Sequence, residues 1–127
     1  MMNQPISRQQ HGIADYMFAP LVASAPESIG FTEEKTAVTL CRVLGAGALA
    51  YTLFTKAEWG LVKVLPFKAH LVLEGVASLF TLSAPWVFGF AHNTKARNAF
   101  LAFGATSGTV GLLTQPEEMG EITSAVL

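Results

Sequence analysis

The chain has 127 residues, of which 51% are hydrophobic and only 13% charged, with a formal net charge of −1. The charged share is about half that of an ordinary soluble domain, and the near-zero balance excludes electrostatic binding of nucleic acid. The single cysteine, Cys41, excludes an internal disulfide and, set in an apolar run, reads as a small buried hydrophobe.

Residues 1–10 are polar and carry only Arg8. They lack the apolar core of a signal peptide, so no cleavage is expected. Residues 11–25 are apolar apart from His11, Asp15, Tyr16 and Pro20. Such a helix crosses a membrane only beside partners that cover Asp15 and the backbone freed by Pro20. Pro26 ends or kinks it, and residues 27–35 read as an exposed connection. Thr32 or Thr36 is the candidate cap of the next helix.

Residues 36–55 hold one charge, Arg42, in twenty positions. At about 1.5 Å per residue they span about 30 Å, the thickness of a bilayer core. Gly45 and Gly47, among alanines, form a small-residue surface for close helix packing. Arg42, near the helix start, is placed to snorkel to the interface.

Residues 57–69, together with Lys56, mix Trp59 and three lysines with Leu61, Val62, Val64, Leu65 and Phe67. This pattern suits a connector on the membrane surface. From Leu71 to Phe90 the only charge is Glu74, and Pro85 bends the end of that helix. Trp86 sits at the expected headgroup level, so Trp59 and Trp86 are the candidate interface anchors. His92 lies in a polar connection at residues 91–97 and is expected to be exposed. Residues 98–114 present Gly104, Gly108 and Gly111 on one face, with Gly104-x-x-x-Gly108 as a packing motif. Residues 116–127 read as an acidic tail.

Shifted by about 59 residues, the halves align without a gap. His11 falls on His70 and Asp15 on Glu74. Ser24-Ala25-Pro26 falls on Ser83-Ala84-Pro85, and Gly30-Phe31 on Gly89-Phe90. Gly45 meets Gly104, and Thr55 meets Thr114. The expected fold is all-α: a four-helix transmembrane bundle of two tandem two-helix repeats, residues 11–56 and 70–115, joined by the interfacial connector. Both repeats enter from the same side and are related by an axis along the membrane normal. The lysine and arginine balance slightly favours the termini as cytoplasmic.

The segment Ser83-Ala84-Pro85-Trp86-Val87-Phe88-Gly89-Phe90, the connector from Tyr51 to Pro66 and His70-Leu71-x-Leu73-Glu74 resemble the SPW-repeat family of small bacterial membrane proteins. The resemblance runs from about His11 to Pro116. Ala84 replaces the serine before Pro85, and Glu27 stands where the first copy's tryptophan is expected. The resemblance implies a protein of the bacterial cytoplasmic membrane and no established activity.

Two histidine–carboxylate pairs are the sharpest chemical feature. His11 and Asp15, like His70 and Glu74, lie four residues apart and share a helix face. His11 and His70 are the candidate cofactor-binding residues, with Asp15 and Glu74 behind them orienting the rings. Three roles are open: ligation of a haem, pigment or quinone, proton handling, and recognition of a subunit or lipid headgroup. The plainer alternative is that both pairs sit at the helix entry and help fix helix ends. No phosphate loop, CxxC, HExxH or nucleophile elbow is present. Glu33-Glu34 and Glu117-Glu118 read as solvated ends. The chain is therefore expected to be non-enzymatic, with no catalytic residue, no metal site and no cofactor demanded by the sequence. It is expected to work as an accessory or scaffolding subunit, or a homo-oligomer, among membrane lipids and other membrane subunits.

Overall fold

The structure, a computed structural model, describes residues 4–118. Four α-helices form: α1 (Arg8–Ala25), α2 (Lys35–Leu53), α3 (Phe67–Val87) and α4 (Thr94–Leu112). No strand forms among the described residues. Two isolated bridges join Ile6 to Thr114 and Thr55 to Leu65. Helix α1 packs mainly on α2 and α3 on α4, making two hairpins.

The helix starts differ from the sequence expectation for local reasons. Helix α1 begins three residues early because Ser7 and Gln10 form a capping box, each side chain bonded to the other's backbone N–H. Helix α4 begins at Thr94 because Asn93 Oδ1 accepts from Ala96 N at 3.1 Å. Neither Thr32 nor Thr36 caps α2; its cap position is Glu34, with no side-chain bond. Glu118, expected to be solvated, instead caps α3: its carboxylate accepts from Phe67 N at 2.8 Å and Lys68 N at 3.1 Å. The rest of the expected acidic tail, residues 119–127, lies outside the described residues.

The Ser-Ala-Pro-x-x-x-Gly-Phe stretches share a closing bond, although α1 stops at Ala25 before a π-helical turn, Pro26–Gly30, and α3 runs through Pro85 to Val87. Phe31 N donates to Pro26 O at 3.0 Å, and Phe90 N to Pro85 O at 2.8 Å. Gly30 and Gly89 follow with φ of 98° and 77°, a left-handed backbone that favours glycine. The turns drive Phe31 and Phe90 into a core with Phe100, Phe103 and Cys41.

Gly45 and Gly104 mark the close approach within each hairpin. A Cβ on Gly45 would lie 2.7 Å from Ala23 Cβ and 2.8 Å from Ala19 O. A Cβ on Gly104 would lie 2.6 Å from Leu82 Cγ and 3.0 Å from Ser78 O. Gly108 and Gly111 have room for a Cβ, and Gly47 has nothing within 4 Å. The expected packing motif thus works at Gly104, while Gly108 borders an open apolar groove of about 540 Å³ between α3 and α4.

Helices α2 and α3 are long and apolar enough to cross a membrane. Most residues in these stretches are not buried within the chain. Their exposed residues include Val43, Val72, Val76 and Leu79.

Candidate functional site

The aromatic core occupies one end of the molecule, and the other end encloses polar groups. Each site histidine is the fourth residue of its helix and each site carboxylate the eighth. Successive inward positions on a helix are three or four residues apart. On α3 that stripe is Phe67, His70, Glu74, Ser78 and Thr81; on α1 it is Arg8, His11, Asp15, Ala19 and Val22. Because α1 and α3 start at the same end, the two stripes meet.

The four side chains converge on one point. His11 Nε2 lies 2.7 Å from Glu74 Oε2 and 3.2 Å from Asp15 Oδ2. His70 Nε2 lies 3.0 Å from Asp15 Oδ2 and 3.8 Å from Glu74 Oε2. The nearer carboxylate is in each case on the other hairpin, not one turn along the same helix as the spacing suggests. The carboxylates therefore do not stand behind the imidazoles; all four groups share one centre. All four residues are buried, with His11 at 0% and His70 at 1% exposure. Each histidine lies one turn from its helix start, as the plainer alternative has it, but inside the bundle and not on its surface.

Threonines take the orienting role expected of the carboxylates. His11 Nδ1 lies 2.8 Å from Thr114 Oγ1, and His70 Nδ1 lies 2.7 Å from Thr55 Oγ1. Each threonine hydroxyl donates to the carbonyl four residues back, Thr114 to Val110 O at 2.6 Å and Thr55 to Tyr51 O at 2.5 Å. A hydroxyl has one hydrogen. It must then accept from the imidazole, so both rings carry their hydrogen on Nδ1. Ser107 of α4 donates to the second oxygen of Glu74 at 3.0 Å. The aligned pair Thr55/Thr114 was visible in the sequence repeat, but its pairing with the histidines was not. Ser107 left no sequence signal.

The inner atoms have a common character. His11 Nε2, Asp15 Oδ2, His70 Nε2 and Glu74 Oε2 are buried and make no hydrogen bond of acceptable geometry. The four donor atoms lie within 4.8 Å of one another, close enough to share one ion. The imidazoles meet edge to face, with ring centroids 5.3 Å apart and planes at 80°. With both carboxylates beside their Nε2 atoms, no slot remains for a flat macrocycle, and a haem or pigment sandwiched by the histidines does not fit. A cleft of about 230 Å³, lined in part by Phe18, Leu21 and Val110, reaches Asp15 and Glu74 between α1 and α4.

A lid closes this end of the bundle. Buried Arg8 makes a paired contact with Glu58 of the connector at 2.9 and 2.8 Å, and donates to Glu117 O at 2.7 Å. That bond with Arg8 holds the Glu58 carboxyl below the ordinary glutamate range. Trp59 lies across Gly12, where a Cβ would meet its ring at 2.6 Å, and its Nε1 donates to Gln9 O at 3.0 Å. Trp59 thus anchors the connector to α1, whereas Trp86 stands exposed at the end of α3. At the far end, exposed His92 faces Glu34 at 3.2 Å, and Arg42 pairs with Glu27.

These features define a four-helix protein with a buried two-histidine, two-carboxylate centre shared between hairpins. No protein-family model, curated protein or solved structure matches the chain.

Proposed function

We propose that the chain is a non-enzymatic integral membrane protein, a bundle of four membrane-crossing helices acting as a subunit of a larger membrane assembly or of a homo-oligomer. One observation carries this reading. Helix α3 turns His70, Glu74, Ser78 and Thr81 inward and Val72, Val76 and Leu79 outward, the last three 62–69% exposed. A helix in water has the opposite polarity. Lipid favours an apolar exterior and polar groups that satisfy one another inside. Asp15 of α1 is buried in the same centre, while Lys95 and Arg97 lie in the first turn of α4. These placements suit membrane spans whose own composition is less apolar.

The recurrence of the 59-residue offset in His11/His70, Thr55/Thr114, Gly45/Gly104 and Gly30/Gly89 supports a duplicated hairpin. Kinship with the SPW-repeat family, residence in the bacterial cytoplasmic membrane and cytoplasmic termini belong to the same proposal. The open groove between α3 and α4 suits a neighbouring helix or lipid chain. Two measurements test the reading. The protein should stay with membranes through an alkaline carbonate wash, and its native mass in mild detergent should exceed that of one chain. Release by carbonate removes the membrane reading; a lone chain removes the assembly.

The convergence of four ionisable groups favours a second reading, in which this centre is the working part and holds a cation, a proton or a cofactor ion, between the hairpins. His70→Ala would then abolish a proton flux in reconstituted vesicles or the binding of that ion. No change in either would remove this reading.

A further inference from the structure

We infer that His11, Asp15, His70 and Glu74 form a four-coordinate site for one divalent transition-metal ion, best matched by zinc, which joins the two hairpins. The inference rests on the second reading above and names the ion.

The argument begins with the threonines. With Thr55 and Thr114 accepting from Nδ1 of each ring, an imidazole in its neutral form turns its Nε2 lone pair toward the centre. Two carboxylate oxygens face the same point. Four buried acceptors without a donor repel one another and lose their water. A positive charge must therefore stand among them. Two ring protons would supply it, but then each Nε2–H should aim at a carboxylate oxygen. The rings and carboxylates do approach as ion pairs, at 2.7, 3.0 and 3.2 Å, but none of the four atoms makes an aligned hydrogen bond. The atoms instead gather within 4.8 Å of one another, a span that one shared ion can draw together.

The size and charge fit. Ligands at about 2.0–2.1 Å from zinc in a tetrahedron lie about 3.3 Å from one another. The four nitrogen–oxygen separations, 2.7, 3.0, 3.2 and 3.8 Å, straddle that value. Two carboxylates and two neutral imidazoles balance a divalent ion, leaving no net charge in the interior. Two nitrogens with two oxygens suit zinc and its first-row neighbours, whereas calcium and magnesium call for six or more ligands, chiefly oxygen. The outer partners are those of a built metal site: each ring's second nitrogen donates to a threonine, and Ser107 holds the far oxygen of Glu74. The cleft at Asp15 and Glu74 gives an entry path.

Cobalt is the probe, because tetrahedral cobalt has visible ligand-field bands and zinc has none. The full chain is expressed in cobalt-supplemented, zinc-poor medium and purified in mild detergent, and its metal content and absorption spectrum are measured. The expected result is about one cobalt per chain with tetrahedral bands, displaced by added zinc. Glu74→Gln and His70→Gln should each lose the bands while circular dichroism still reports folded helices. Thr114→Val, which keeps all four ligands, should weaken metal affinity about 10–100-fold. Folded wild-type protein without stoichiometric metal would overturn the inference whatever the variants do, as would bands unchanged in both ligand variants. If metal is absent but a His70-dependent proton flux persists, the inference alone fails. If both are absent, the cation-holding reading fails with it.

Discussion

A single side chain in the buried centre cannot be removed quietly. Glu74→Ala leaves the two imidazoles facing Asp15 alone, at 3.2 and 3.0 Å, where they had faced two carboxylates. Breaking one member of a buried charge set costs about 3–5 kcal/mol. Denaturation of the purified protein in detergent should therefore show a loss of that size, and a loss below 1 kcal/mol would argue that water enters the site. Thr55→Val keeps the shape but strands the Nδ1–H of His70. The expected loss is about 1–3 kcal/mol, while Thr55→Ser, which restores the hydroxyl, should recover most of it. Arg8 and Glu58 give a pH signature outside the bundle. Glu58 has its folded pKa lowered by Arg8, so the stability it contributes is present above the unfolded glutamate value. That contribution is lost as pH falls through the lowered one. Glu58→Gln should flatten this acid limb of the stability profile, and an unchanged limb would assign the acid sensitivity elsewhere. That His11, Asp15, His70 and Glu74 stand out as a set was legible in their equal spacing and repetition. That each histidine would choose the carboxylate of the other hairpin was not, because spacing along a helix carries no information about a neighbouring helix.

At the scale of elements, the hairpins depend on two glycines and tolerate change at others. Gly45→Ala places a methyl 2.8 Å from the Ala19 carbonyl, part of a helix backbone that cannot step aside. We expect a loss of about 1–3 kcal/mol. Gly47→Ala, with nothing within 4 Å, should be neutral or stabilising by up to about 1 kcal/mol through helix propensity. Thermal melts of the two variants decide the matter; equal melts would mean that the α1–α2 contact is looser than these distances. Helix ends were harder to read than helix bodies. The capping box at Ser7 and Gln10 is a local pattern that the expected start at His11 passed over, whereas the cap on α3 comes from Glu118, 51 residues from Phe67. A cap supplied from across the molecule has no local signature.

For the whole molecule, the decisive property is the polarity of α3. Polar residues of α3 lie inward and its valines and leucines outward, so transfer from detergent to water should cause aggregation, not a soluble monomer. Light scattering on detergent removal checks this, and a clear monomeric solution would count against a lipid-facing exterior. The two ends of the bundle divide the work. One end is closed by Phe31 and Phe90 behind the two proline turns; the other holds the ionisable centre under the Arg8–Glu58 lid. A change at Phe90 should therefore loosen the bundle without altering the centre, whereas one at His70 should act on the centre first.

The sequence by itself determined the helical class, the four apolar segments, the repeated His-x-x-x-acid spacing and the glycine-bearing turns. Each follows from residues close together in the chain, through helix periodicity, side-chain volume or backbone freedom. Only the tertiary structure decided that the two pairs share one centre, that Thr55 and Thr114 fix the tautomer of the opposite hairpin's histidine, and that α3 buries its polar face. Those relations join residues up to 103 positions apart, as His11 and Thr114 are. They come from packing two hairpins side by side, pointing the same way and in register, and a linear pattern of residue types holds no record of that packing.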